Sequence, residues 1–149
     1  MKILTTSLWV ILTFALVACG GGETEILGPT WQWEAFQDTA GINDVSVPNP
    51  ENYTLTLNDD GTASIIADCN QVIWAYELDE SRLTFDTTGP STLAMCPEDS
   101  LDQLFVERLG NTVTYVMQDG KLFLNLFADA GNLVFQAKQN QGSEDPIPC

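Results

Sequence analysis

The sequence predicts a mainly β (α+β) fold, a small antiparallel, partly open barrel-like sheet of about seven or eight strands with one helix. Three observations carry this. Short apolar segments alternate with period two, turn residues recur roughly every 8–12 positions, and a single stretch has helical spacing. A parallel βαβ arrangement would need several helices. A chain of 149 residues fits one domain, which typically takes roughly 100–200.

The elements follow in order. Trp31, Trp33 and Ala35 alternate with Gln32 and Glu34. In Tyr53-Thr-Leu-Thr-Leu57 the residues Tyr53, Leu55 and Leu57 face inward, and Asn58-Asp59-Asp60-Gly61 turns the chain into 62–67, so the pair reads as a hairpin. Val72, Trp74, Tyr76 and Leu78 share one face, and after Asp79-Glu80-Ser81 so do Leu83 and Phe85. Ser100 with Gln103 fits a capping box, Leu101, Leu104, Phe105 and Leu109 fall at helical spacing, and Gly110 suits the C′ position. Strands over 112–117, 121–127 and 133–137 complete the sheet. Residues 27–138 form the domain, and the polar, Pro-containing tail 139–149 is expected to be disordered.

The first segment stands apart. Lys2 precedes an apolar run over 3–17, the pattern of a secretory signal over 1–18. The run is shorter than the ~20 residues a membrane span needs. Leu16-Val17-Ala18-Cys19 resembles a bacterial lipobox, and in such signals the residue matching Cys19 is lipidated on sulfur and acylated, palmitate being the usual chain. An ordinary signal peptide ending in a cysteine is the alternative. Residues 19–26, with Gly20-Gly21-Gly22, then read as a flexible tether. The expected location is therefore outside the cytoplasm, on the cell membrane or the outer membrane. Gly20 rather than aspartate after Cys19 leans toward the outer membrane by resemblance to known sorting signals.

Charge excludes several functions. The chain carries 21 acids, 5 bases and no histidine, a formal net charge of −16. Without an imidazole there is no Ser-His-Asp or Cys-His mechanism and no His-containing metal site. Nucleic acid is excluded as a partner, because its phosphates need Lys and Arg. An anionic surface cannot grip anionic lipid headgroups, so membrane attachment falls to the lipid on Cys19.

The ordered set Gly28-Pro-Thr-Trp31, Tyr53 to Gly61, Asp68-Cys69-Asn70, Tyr76, Leu83, Thr92 with Met95-Cys96-Pro97, Phe105 with Leu109, and Asp119-Gly120-Lys-Leu122 resembles the META domain family, which includes HslJ-like bacterial heat-shock lipoproteins. The resemblance covers about residues 27–137. It implies a β-rich, barrel-like envelope domain with one helix, linked in the HslJ-like members to heat stress and novobiocin resistance without an established enzymatic activity. Asp68 stands where many members carry glycine, which leaves open whether the chain takes the positive φ that glycine allows.

Cys69 and Cys96 match the family's cysteine positions, and thiols of exported proteins tend to oxidise. A Cys69–Cys96 disulfide is therefore the leading expectation, with two separate buried thiols as the alternative. Cys149 is then the odd thiol. Asp68-Cys69-Asn70 invites a catalytic reading, yet no base lies nearby to lower the thiol pKa, and Asn and Asp at a strand end more often bond local backbone.

The acid pairs Asp59-Asp60, Asp79-Glu80 and Glu98-Asp99 could serve a carboxylate-dependent hydrolase, but they fall in expected turns or at a helix start. No calcium-loop pattern occurs, so no metal or other cofactor is implied beyond weak divalent-ion binding at acidic loops. Trp31, Trp33, Trp74, Tyr53, Tyr76 and Tyr115 read as core. Along 121–127, Leu122, Leu124 and Leu126 take one face, while Phe123 and Phe127 take the other. That second face is either covered by the helix or exposed as a binding patch.

The residues thus point to an envelope-anchored, non-catalytic binding or structural module that contacts an envelope protein or lipid. A carboxylate hydrolase, or a secretion chaperone or inhibitor that adds an edge strand to its partner, are the alternatives.

Overall fold

The computed structural model describes residues 26–139. The expected signal over 1–18, Cys19, the tether up to residue 25, and the tail from 140 to Cys149 lie outside the described residues. The strands are β1 (Thr30–Asp38), β2 (Val45–Ser46), β3 (Tyr53–Leu57), β4 (Thr62–Ala67), β5 (Asn70–Asp79), β6 (Arg82–Asp86), β7 (Thr112–Gln118), β8 (Lys121–Leu126) and β9 (Gly131–Ala137). The helix α1 (Asp102–Gly110) sits between β6 and β7.

Every pairing between these strands is antiparallel, and β3 to β9 follow one another across the sheet. β1 pairs with both β3 and β9, so eight strands close into a barrel, and β2 adds a short pair beside the second half of β1. The expected antiparallel barrel-like sheet is what forms, and it closes. Its slightest seam is β6 to β7, joined by the register pair Arg82↔Thr114 and a bond from Tyr115 N–H to Ser81 C=O at 2.9 Å. Here the chain leaves the wall to build α1.

Local chemistry sets the turns. After Asn58, Gly61 takes φ 81° and the Asn58 N–H bonds Thr62 C=O at 2.8 Å, the pattern of a three-residue hairpin loop with a left-handed last residue. Asp119 (φ 52°) and Gly120 (φ 74°) both go left-handed between β7 and β8, as a two-residue type I′ turn requires. Between β4 and β5 the loop is Asp68-Cys69, since Ala67 pairs with Asn70. Asp68 itself adopts φ 56°. The positive φ left open by the missing glycine is therefore present, carried by one of the few other residues that tolerate it.

The alternation expected through Ala35 fails. Trp31 and Trp33 point inward, but the register with β9 shifts between Trp33 and Ala35, and Phe36 becomes the next buried residue. A bulge at Glu34 is the cause: it puts one extra residue on β1 and moves the inward face along by one. The freed Glu34 carbonyl accepts the Val47 N–H at 2.9 Å. Opposite Asp38, Gly131 takes φ 138°, and a Cβ there would stand 2.2 Å from the Gln37 carbonyl oxygen.

The barrel interior is filled by side chains. Trp33, Phe36, Leu55, Leu83, Phe105 and Phe135 are fully buried, and the Phe105 ring stacks on Trp33 at 4.9 Å with Tyr53 edge-on at 5.8 Å. Eight strands give an interior just wide enough for such packing. Helix α1 thus inserts Phe105 and Leu109 into the barrel as a plug.

Two details of α1 differ from the sequence reading. No side chain at the N-cap Leu101 bonds the helix, and the Ser100/Gln103 capping box does not form. Instead Ser100 Oγ accepts the Asp102 N–H at 3.2 Å, and the Tyr53 hydroxyl, reaching from β3, accepts the Leu101 N–H at 2.9 Å. Gly110 ends the helix without a positive φ, followed by Asn111 at φ −94°. Packing is its reason: a Cβ would lie 3.0 Å from Thr87 Cγ2 and 3.7 Å from Trp74.

Candidate functional site

After β6 the chain does not go directly to α1. Residues 87–97 fold back as a strap along the first half of β5, the half that β6 leaves unpaired. Ile73 N–H bonds Pro90 C=O at 3.0 Å, Thr92 N–H bonds Gln71 C=O at 2.9 Å, and Gln71 N–H bonds Thr92 Oγ1 at 2.9 Å. Gly89 makes the approach possible, because a Cβ there would fall 2.0 Å from the Ile73 carbonyl oxygen.

A covalent link fastens the far end of the strap. Cys69 and Cys96 form a disulfide with an S–S distance of 2.02 Å and a Cα–Cα distance of 5.6 Å, inside the usual range of 4.4–6.8 Å. The expected pairing is therefore present, and the separate-thiol alternative is not. It also removes the nucleophile from the Asp68-Cys69-Asn70 reading.

Asn70 is the polar half of the fastening. Its side chain is buried at 8% exposure, and its carbonyl oxygen accepts the Ala94 N–H at 2.8 Å and the Thr92 hydroxyl at 3.0 Å. Its amide donates to Ala94 C=O at 3.0 Å and to Asp102 Oδ2 at 3.3 Å. One side chain thus ties β5, the strap and the first turn of α1 together. Such full satisfaction is what a buried amide needs, and it makes Asn70 a clamp.

Between the strap and α1 runs a groove in two parts. One, of about 340 Å³, has Ala67, Val72, Leu93 and Val106 as its apolar lining, with Asp102 and Glu107 at the rim. The other, of about 520 Å³, continues past Met95 and Cys96 to Glu98 and Leu104, and shares Asp102, Gln103 and Glu107 with the first. Leu93 is 93% exposed and Met95 is 99% exposed. Sequence reasoning missed both, because the strap has neither period-two nor helical spacing. Two apolar residues flanking Ala94 beside a family cysteine were the available signal.

The acid pairs do not converge. Asp59, Asp60, Asp79, Glu80, Glu98 and Asp99 are exposed, and all fall in turns or at their edges. Two other turn carboxylates, Asp38 and Asp86, share a local pattern with Asp60. Asp38 is held below the usual range by the Ala40 N–H and Asn43 amide, and Asp60 and Asp86 are held below it by the hydroxyl and N–H of Thr62 and Thr88. These are solvated turn carboxylates, whereas a catalytic acid needs a raised pKa. Burial, with the charges of Asp59 and Asp60, pushes the Tyr76 hydroxyl up. Among the described residues no three His, Cys, Asp or Glu side chains are placed to hold a metal ion.

Phe123 and Phe127 part company. β8 ends at Leu126, and Phe127 opens a 3-10 turn (Phe127–Asp129) where it is 69% exposed. The strand expected to run to Phe127 is cut short by Ala128, which turns left-handed at φ 57°. Helix α1 does not cover Phe123. It packs in the core with Leu122, Leu124 and Leu126, on the opposite face of β8, and the register neighbours of Phe123 are Val116 and Val134. Val134 is buried, Val116 is 47% exposed, and Phe123 between them is partly exposed.

Comparison with known proteins agrees with this architecture. The chain is similar to a protein from Burkholderia xenovorans with an NMR structure, at TM-score 0.59 and 23% identity over 78% of this chain and 86% of that one. It is also similar to a duf4847 family protein from Bacteroides vulgatus ATCC 8482 with a crystal structure, at TM-score 0.57 and 15% identity over 78% of this chain and 96% of that one. At these identities the likeness is one of fold. No curated protein matches closely enough to lend this chain a role. The META domain profile matches residues 24–140, which spans the barrel, the strap and the helix. The chain belongs to the META domain family.

Proposed function

We propose that this META-domain protein is exported, anchored to the envelope by a lipid on Cys19, and acts there as a non-catalytic binding module. The observation that carries the reading is the Cys69–Cys96 bridge, because such bonds persist in oxidising compartments and are rare where thiols are kept reduced. The apolar run over 3–17 ending in Cys19 supplies the export signal and the anchor. The packed interior fits a protein that works through its surface. Closure of the barrel leaves the two-residue β2 at the end of the sheet, a poor template for strand addition by a partner.

Within the family, the order of motifs favours an HslJ-like envelope lipoprotein that supports stress tolerance. The partner is then an envelope protein or lipid. The decisive test expresses the full chain and Cys19→Ser in bacteria with labelled palmitate. Label and membrane fractionation of the full chain, both lost in Cys19→Ser, support the anchor. An unlabelled chain, or a Cys19→Ser variant that stays membrane-bound, overturns it. Growth of a strain lacking the protein, under heat and with novobiocin, tests the stress role.

A further inference from the structure

We infer that the groove between the strap and α1 is a docking site for a cationic amphipathic polypeptide segment, which lays apolar side chains between Leu93 and Val106 and sets Lys or Arg over the acids of the rim. The inference deepens the binding-module reading and rests on it.

The apolar half of the argument is the strap. Leu93 and Met95 are 93% and 99% exposed, yet the backbone that carries them is fixed at Thr92 and Ala94 by Asn70 and at Cys96 by the disulfide. Two large apolar side chains are therefore presented on an ordered support beside an apolar groove. A support ordered before binding lowers the entropy lost on association.

Charge selects the occupant. Both parts of the groove are rimmed by Asp102 and Glu107, with Glu98 at the far end, and neither is lined by Lys or Arg. Arg108, the one base on α1, lies over the Phe36 ring at 4.7 Å to its centroid and does not line the groove. A second copy of this chain brings a formal charge of −16 and is repelled. The tether and the tail outside the described residues carry Glu23, Glu25, Glu144 and Asp145 and no base, so they are poor occupants as well. An anionic bilayer is repelled on the same ground. A basic segment with apolar anchors at helical spacing matches both the floor and the rim.

The test measures anisotropy of a fluorescein-labelled Lys/Leu amphipathic peptide of ~14 residues against the full chain in detergent, with a Glu/Leu peptide and phosphatidylethanolamine/phosphatidylglycerol vesicles as comparison arms. The expected result is binding of the Lys/Leu peptide that weakens about tenfold in Leu93→Ser/Met95→Ser and in Glu98→Gln/Glu107→Gln. These side chains are exposed, so melting should be unchanged. The charge-matched control Asp59→Asn/Glu77→Gln, which alters neither the strap nor α1, should bind as the parent does. Equal weakening in the control would assign the attraction to overall charge and overturn the site. No binding of the Lys/Leu peptide, tighter binding to the Glu/Leu peptide, or vesicle binding that persists in Cys19→Ser and exceeds peptide binding, would also overturn it. Lipid labelling at Cys19 is read separately, so loss of the anchor leaves this result standing, and loss of the docking site leaves the anchor standing.

Discussion

Replacing Cys69 and Cys96 together with serine isolates the covalent part of the strap's fastening, because the Asn70 bonds to Thr92, Ala94 and Asp102 are left in place. The bridge spans 27 residues. The chain-entropy relation then assigns it about 3.5 kcal/mol at 25 °C, through expansion of the unfolded chain once the crosslink is gone. A domain of this size shifts by about 4 °C per kcal/mol, so the double variant should melt about 15 °C below the oxidised parent. Urea unfolding should show a lower midpoint together with a steeper slope, because the uncrosslinked chain exposes more surface on unfolding. Reductant should move the parent to the variant's values and leave the variant unmoved. A variant that melts within a few degrees of the parent would refute the reasoning, and would mean that the Asn70 network alone holds the strap.

Further outcomes follow from the same geometry. Asn70→Ala leaves the Ala94 N–H and the Asp102 carboxylate without their buried partner, at a cost of about 2–3 kcal/mol, read as a lower urea midpoint and faster hydrogen exchange at Thr92 and Ala94. Gly131→Ala places a Cβ 2.2 Å from the Gln37 carbonyl oxygen at φ 138° and should cost about 2–4 kcal/mol. Gly61→Ala at φ 81° meets nothing within 4 Å and should cost about 1 kcal/mol in the same thermal assay. The folded-state pKa values of Asp38, Asp60 and Asp86 lie below the ordinary 3.8. Their contribution is therefore present above pH ~4 and lost as pH falls through the depressed values. Self-repulsion of the −16 chain acts the other way at neutral pH. The melting temperature should rise from pH 7 toward pH ~5, fall below pH ~4, and rise with added salt at pH 7.

Where the chain obeys a single period, the sequence was readable. Tyr53, Leu55 and Leu57 are buried on one face as the alternation says, and so are Leu122, Leu124 and Leu126. Phe105 and Leu109 plug the barrel because they are one helical turn apart and share the helix face turned to the core. The misreadings sit where a tertiary contact outweighs a local rule. Glu34 bulges, and the inward face passes from Trp33 to Phe36. Ser100 loses its capping box because Tyr53, forty-seven positions away, brings a hydroxyl to the helix start. Gly110 looks like a helix stop and is instead a gap for Trp74 and Thr87. Of the strap, only its fastening at Cys96 was legible, through the family resemblance. Its bonds run to β5, between segments about twenty residues apart, and no periodicity within 87–97 encodes them.

That division bears on where function resides. The interior of the eight-stranded barrel is filled by Trp33, Phe105 and Phe135, so the residues that stabilise it are not those the proposed docking would use. The strap is the element on which both meet. Gly89, Asn70, Cys69 and Cys96 fix its path, while Leu93 and Met95 contribute almost nothing to the core they adjoin. Fixed backbone with uncommitted side chains is the arrangement in which partner specificity can change without unfolding the scaffold. Substitutions at Leu93 and Met95 should then be neutral in thermal melts while altering what the protein binds, whereas substitutions at Gly89 or Asn70 should disturb both together.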